Sequence, residues 1–390
     1  MSSIYERYYT ARMPAKQVLI QQENEVYATI RFSAGSCVDG VFAPEGFDAR
    51  QIVGACRDGG LKGVILVCKL PDGFCLWPST VTEYNIKNAP CGDVVRAFSE
   101  ACAEMDMKFG VALPHEDVRD PREYRKQLRE VLSQYGPMFE VQFSEAEADK
   151  SDFSWDPVYG IVRQMQPDAV ISGGPDRRRC NCRQGILPDD STIRYTPVLL
   201  LPGHERPKSQ AALNKYLLYG RLCGGMYFVQ AECEYPLTTP EKMREAYLHT
   251  VGNGGVLNIQ ITLDNRGLVS KKDQAHLRAF SAERNVLFSQ PVLTWLVSDG
   301  EQILVTRKKP FNLIEFAEDV SMGERVKFWK VEAKEPDGSW RVLTEGRIVG
   351  FRRLRLLETP CNAVMLRITL TGGNADFRTW MVPQGDSENE

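Results

Sequence analysis

The sequence is poor in several features that would otherwise decide its class. No apolar run reaches the length of a bilayer span, so no membrane segment is expected. Met1 to Lys16 is polar and charged, without an apolar h-region or a cleavage site, and a cytoplasmic location is the expectation. The formal net charge of −3 lacks the basic excess of a phosphate-backbone binder, so nucleic acid is not an expected partner. Only 4 histidines are present, and Cys180-Asn181-Cys182 is the one close cysteine pair, which argues against zinc; no metal or other cofactor is expected. The 11 cysteines are odd in number and scattered, several inside apolar runs such as Val64–Cys68, as reduced thiols packed in a core would be. No Gly-x-Gly-x-x-Gly loop follows the first strand-like run, which counts against a dinucleotide-binding sheet.

What is present is a long alternation of short apolar runs and amphipathic stretches. The strand candidates are Tyr27–Phe32, Gly63–Cys68, Lys108–Leu113, Phe139–Phe143, Ala169–Ile171, Pro197–Leu201, Tyr227–Ala231 and Val256–Ile261. They are mostly continuous rather than alternating, as parallel strands buried on both faces require. Helix-like segments lie at Asp48–Arg57, Val94–Met105, Pro121–Tyr135, Pro157–Gln166, Thr239–Val251 and Lys271–Phe288. In the third, Leu128, Val131, Leu132 and Tyr135 fall on one face, and Thr239-Pro240 reads as an N-cap with proline at N1. Repeated βα units of this length fit a doubly wound sheet or a (β/α) barrel, and the missing glycine loop favours the barrel. After Pro291 the period changes to two: Val364, Leu366, Ile368 and Leu370 alternate with Met365, Arg367 and Thr369. Pro336-Asp337-Gly338 marks a hairpin between two further strands. The fold class is therefore α/β: a TIM-like (β/α) barrel over 1–290, then an all-β sandwich over 291–390 of the kind that carries carbohydrate-binding modules.

Residues 61–90, which include Lys69-Leu70-Pro71-Asp72-Gly73-Phe74 and Leu76-Trp77-Pro78-Ser79, resemble the α-L-fucosidases of glycoside hydrolase family 29. In that family a strand ends in Lys-His-His-Asp-Gly-Phe, followed by Leu-Trp-Pro-Ser. Gly92-Asp93-Val94-Val95, Tyr135-Gly136-Pro137 and Gln166-Pro167-Asp168-Ala169 continue the similarity, which runs in register from Gln17 to Phe288. Gly323-Glu324-Arg325-Val326 and Gly338-Ser339-Trp340 resemble the family's sandwich. The resemblance implies a retaining glycosidase, in which one carboxylate attacks the anomeric carbon and a second protonates the leaving group.

The sequence departs from the family where that chemistry would sit. The family's nucleophilic aspartate aligns with Ser144, whose hydroxyl is a poor nucleophile without a base, and Glu145 follows it as a weak substitute. The fucose-contacting histidine of the first strand aligns with Arg31, the paired histidines with Leu70 and Pro71, and the general-acid glutamate of one branch with Arg183. Lys69, Asp72, Trp77, Asp117 and Glu232 persist, and Glu232 is the surviving acid/base candidate. Several of these residues also have plain structural readings. Trp77 is a sugar-stacking wall or core beneath a loop, Asp72 a turn cap, Asp117 part of a solvated loop, and Arg177-Arg178-Arg179 a solvated charge run.

The resulting expectation is a catalytically altered or impaired fucosidase-like protein with a retained sugar pocket. The alternatives are an active retaining glycosidase with relocated carboxylates and a scaffold subunit paired with an active paralogue. A carbohydrate is the expected partner, an anionic sugar in particular, bound by Arg31, Lys69, Asp72, Trp77, Asp117 and Arg183; a homo-oligomer fits the same reading.

Overall fold

The computed structural model describes residues 15–33, 37–38, 41–115, 120–143, 155–180, 187, 196–197, 226–227, 230–306, 308–321 and 323–382. Eight parallel strands close a barrel in sequence order: β1 (Val26–Arg31), β2 (Gly63–Val67), β3 (Lys108–Ala112), β4 (Glu140–Gln142), β5 (Val170–Ser172), β6 (Arg177–Cys180), β7 (Gln230–Pro236) and β8 (Val256–Thr262), with β8 pairing back onto β1. The helices described around it are α1 (Ala49–Asp58), α2 (Val94–Glu104), α3 (Pro121–Gln134), α4 (Asp156–Met165), α5 (Pro240–Thr250) and α6 (Lys271–Leu287). Each lies within a residue or so of its expected bounds, because local capping fixes the ends. Asp48, Asp93 and Asp120 accept hydrogen bonds from backbone amides in the first turns of α1, α2 and α3, and Ser270 does so for α6. Thr239 precedes α5 without a side-chain cap to the backbone; Pro240 at N1 starts that helix.

Six of the eight expected barrel strands are found in place. The sixth was expected at Pro197–Leu201 and is instead Arg177–Cys180; Thr196–Pro197 pairs antiparallel with Met226–Tyr227 outside the barrel. The seventh starts later than expected and runs to Pro236. Two physical facts explain the shift. First, β5 passes to β6 through residues 173–176 with no helix between them, so a search for a strand after a helix looks too far downstream. Gly173 permits this tight passage: its φ is +72°, and a Cβ there would lie 2.3 Å from the Phe143 carbonyl oxygen. Second, β6 is built of arginines, and Arg177 is only 1% exposed. Two arginines of the expected solvated charge run, Arg177 and Arg179, face into the barrel.

Beyond α6, eight antiparallel strands form two four-stranded sheets. They are β9 (Leu293–Val297), β10 (Gly300–Val305), β11 (Phe311–Ala317), β12 (Phe328–Lys334), β13 (Trp340–Gly346), β14 (Arg353–Cys361), β15 (Met365–Thr371) and β16 (Ala375–Trp380). The sheet orders are β9-β16-β11-β14 and β10-β15-β12-β13. Leu366, Ile368 and Leu370 of β15 are fully buried between the sheets, as their alternation requires; Val364 precedes the strand and is exposed. At the β12–β13 turn Gly338 has φ +88°, and the Asp337 carboxylate accepts from the Ser339 amide at 2.9 Å.

The sandwich docks on the barrel through Arg352. Its Nη1 donates to both Glu25 carboxylate oxygens at 2.9 and 3.0 Å and to the Tyr247 hydroxyl at 2.9 Å, while its Nε donates to Glu315 at 2.9 Å. Leu313, Leu354, Trp380 and Val382 join the barrel's apolar core rather than the sandwich's own. Among the described residues no helix is long and apolar enough to cross a membrane.

Candidate functional site

Strand alternation sorts the barrel residues into two sets. Ala28, Ile30, Val64 and Leu66 face outward into the shell of helices. The inward set is largely polar on six strands: Tyr27, Thr29 and Arg31 on β1, Glu140 and Gln142 on β4, Ser172 on β5, Arg177 and Arg179 on β6, Gln230, Glu232 and Glu234 on β7, and Asn258 and Gln260 on β8, whereas β2 and β3 contribute the apolar Ile65, Val67 and Ala112. Their hydrogen bonds stack in layers from the N-terminal floor to the C-terminal mouth.

In the lowest layer the Arg177 Nη1 pairs with Glu140, and its Nε and Nη2 donate to the Gln230 amide oxygen at 3.3 and 2.9 Å. Tyr27 donates its hydroxyl to Glu140 at 3.1 Å. In the next layer the Gln142 amide nitrogen bridges two acids, donating to Glu140 at 2.9 Å and to Glu232 at 2.7 Å. Asn258 donates to Glu232 at 2.6 Å, and the Ser172 hydroxyl donates to its other oxygen. Glu140 and Glu232 are both fully buried. Burial, then the neighbouring Glu232, pushes the Glu140 carboxyl up to about 8, and the opposing pull of Arg177 does not cancel them. Burial and Glu140 likewise raise the Tyr27 phenol well above its ordinary range.

The third layer forms the mouth. The Arg31 Nε donates to the Gln260 amide oxygen at 3.2 Å, the Gln260 amide nitrogen donates to Glu234 at 3.4 Å, and the Arg179 Nη2 pairs with that same Glu234 oxygen. The Arg179 Nη1 donates to the Phe143 carbonyl at 2.8 Å. Burial works against the charge on Arg179, but Glu234, with Glu232 and Glu140, more than offsets it and raises its pKa. A cavity of about 260 Å³ opens here, and Arg31, Lys69, Gln142 and Arg179 supply its polar lining. Phe32, Leu70 and Pro71 are part of its apolar wall. Among the described residues that line it there is no carboxylate.

The residues singled out in the sequence separate clearly. Arg31 and Lys69 line the cavity; Lys69 is almost fully buried, with Nζ 3.5 Å from the Gln127 amide oxygen. Glu232 does not line it and lies behind Gln142, surrounded by donors. Trp77 is fully buried and gives its indole N–H to Glu130 at 3.0 Å. Glu130 also accepts from the Ser79 hydroxyl at 2.7 Å and the Thr80 amide at 2.8 Å, which fastens the Leu76–Thr80 segment to α3. Burial opposes ionisation of Glu130, but these bonds together hold its carboxyl below the usual range. Asp72 caps a turn, accepting from the Phe74 amide at 3.1 Å and the Tyr84 hydroxyl at 2.7 Å. Ser144, Glu145, Asp117 and Arg183 lie outside the described residues. Sequence reasoning missed Gln142, Arg179 and Glu234. The available signal was the i, i+2 spacing of Gln230, Glu232 and Glu234 and of Arg177 and Arg179.

The sequence profile of the family described as Alpha-L-fucosidase matches residues 3–282. A protein of Oryza sativa subsp. japonica provisionally named alpha-L-fucosidase 1 is 27% identical over 405 residues, spanning 86% of this chain and 76% of its own. Alpha-L-fucosidase 1 of Arabidopsis thaliana is 24% identical over 411 residues, spanning 88% and 80%. A crystal structure from Bacteroides ovatus ATCC 8483, provisionally named an alpha-L-fucosidase, superposes with a TM-score of 0.83 at 25% identity, covering 100% of this chain and 78% of that one.

Proposed function

This chain belongs to the α-L-fucosidase family, and from that premise we propose that it is a sugar-binding member whose barrel mouth holds an anionic carbohydrate without the family's retaining hydrolysis. The observation that carries the proposal is the mouth cavity: three cationic side chains and an amide line it, and no carboxylate does among the described residues. A retaining glycosidase needs two carboxyl groups roughly 5 Å apart across the anomeric carbon. Ser144 aligns with the family's nucleophile, and Glu232 is sealed behind Gln142 with three side-chain donors on its oxygens. At about 260 Å³ the cavity lies just under the ordinary range of ligand pockets, which favours one small ligand. Guanidinium groups grip carboxylate or sulfate through paired hydrogen bonds that neutral hydroxyls match poorly.

Two measurements test the reading. Thermal-shift titration is expected to show stabilisation by uronic or sulfated monosaccharides above that by L-fucose, since a ligand that binds only the folded state raises its stability. Turnover of an aryl α-L-fucoside is expected to fall far below the usual enzymatic range of roughly 1–1000 per second. Turnover inside that range would establish the competing reading, a working glycosidase with relocated carboxylates. Equal or greater stabilisation by L-fucose would remove the anionic preference.

A further inference from the structure

Resting on the sugar-binding reading above, we propose that Gln142 is the specificity-determining residue of the mouth cavity: both of its amide protons are taken by buried acids, so it meets the ligand with its carbonyl oxygen alone and selects a sugar hydroxyl that donates. Gln142 ends β4, one layer below Arg31 and Arg179, and lines the cavity although it is only 1% exposed. The other polar side chains of the lining are Arg31, Lys69 and Arg179, which carry N–H groups and no acceptor. Among the described residues that line the cavity, Gln142 is therefore the one side chain able to accept a hydrogen bond.

Two acids fix the direction of the amide. One of its N–H groups goes to Glu140 at 2.9 Å and the other to Glu232 at 2.7 Å, so its capacity to donate is used up. Its oxygen accepts from the Thr29 hydroxyl at 3.3 Å, which leaves the second lone pair for a ligand. Reversing the amide would set its oxygen against the oxygens of both acids and forfeit both bonds, in exchange for at most one new bond to Thr29. Glu232 cannot adapt to that reversal, because its oxygens also receive Asn258 and Ser172. The lining thus sets a fixed acceptor beneath a group of donors. A carboxylate or sulfate has no proton to give Gln142 and would press its oxygens against the amide oxygen, whereas a hydroxyl fits. An anionic sugar is therefore held with a hydroxyl against Gln142 and its charged group turned toward the cationic side chains above.

The test is calorimetric titration of the full-length protein with D-galacturonate and L-fucose as anionic and neutral parent sugars. Each is compared with analogues in which fluorine replaces one ring hydroxyl at a time, and with its methyl glycoside. Fluorine is close to hydroxyl in size but has no proton to donate, and the methyl glycoside removes the anomeric donor. Wild type is expected to bind one analogue of a bound parent on the order of tenfold more weakly than the parent, because the Gln142 oxygen then faces no donor. Q142M and Q142L remove that acceptor, while Glu140 keeps Arg177 and Tyr27, and Glu232 keeps Asn258 and Ser172. In either variant the same analogue is expected to bind within about twofold of the parent, since the hydroxyl has lost its acceptor as well. Thermal unfolding establishes that the variants are folded, and either one carries the comparison if the other fails to fold. Parent binding with every analogue within about twofold in wild type overturns the role of Gln142 without any variant and leaves the sugar-binding reading standing. A loss that persists undiminished in a folded variant does the same, because it assigns the selection to another group. Absence of binding of both parent sugars to wild type overturns that reading and this inference with it.

Discussion

Replacing Arg177 with methionine tests whether the barrel floor is held by a charge balance. Arg177 is 1% exposed, and its guanidinium meets Glu140, the Gln230 amide oxygen and the Tyr27 hydroxyl. Methionine fills much of the volume but supplies none of these donors. Glu140 is left as a buried carboxylate beside a second one, Glu232, with only Tyr27 and Gln142 to hydrogen-bond it. Removing one partner of a buried ion pair costs about 3–5 kcal/mol, a large share of the roughly 5–15 kcal/mol that holds an ordinary domain together. The loss carries a pH signature. Glu140 already takes up its proton above the ordinary carboxylate range in the folded state, so the native state binds more protons than the unfolded one. Stability then falls as pH rises from the ordinary carboxylate range through about 8. Without Arg177 the folded pKa rises further and the fall continues to higher pH. R177M is expected to be penalised most at pH 8 and least at pH 5, where Glu140 can be protonated. R177M/E140Q, which removes the stranded charge and keeps an acceptor for Tyr27 and Gln142, is expected to recover at least half of the loss. Urea unfolding followed by tryptophan fluorescence measures this, with the barrel and sandwich fitted as separate transitions if they part. A penalty below about 1 kcal/mol, an equal penalty at pH 5 and pH 8, or a double variant as weak as R177M would refute the argument.

Glu232→Gln should destabilise the barrel by about 2–3 kcal/mol, because its amide must turn N–H groups toward Gln142, Asn258 or Ser172, which already donate; unfolding midpoints in urea measure this. Glu130→Ala should loosen the Leu76–Thr80 segment and raise amide exchange at Thr80, which loses its carboxylate acceptor, while α3 stays protected. Arg352→Met should cost about 1–3 kcal/mol, since Glu25 and Glu315 lose their shared guanidinium at the barrel–sandwich junction while Glu25 keeps the Tyr247 hydroxyl and Glu315 keeps Arg378 and the Trp380 N–H. Limited proteolysis should then cut between α6 and β9 faster than in wild type.

Much of the architecture was legible in the sequence because the forces behind it are local or periodic. Helix positions followed from amphipathic periodicity, and the structure adds that Asp48, Asp93 and Asp120 cap the amides that follow them. The sandwich strand at Leu366, Ile368 and Leu370 followed from a period of two. The apolar strands β1 to β3 read correctly because strands buried on both faces need continuous apolar runs. The family resemblance followed from motifs that lie close together in the chain, such as residues 69–79, and Arg31 and Lys69 were legible as mouth residues because they end or follow strands β1 and β2.

Tertiary structure alone decided what the polar residues do. Arg177 and Arg179 look solvated in a sequence because their partners, Glu140 and Glu234, lie 37 and 55 residues away and are brought near only when the barrel closes. The same closure places Glu232 behind Gln142 and Glu234 at the rim, although the two lie on one strand and have the same chemistry. Trp77 could be a sugar wall or core until α3 supplied Glu130 for its indole N–H. A charged side chain takes its role from the depth at which it is buried and from the partner it meets there, and neither is a property of its neighbours in the chain.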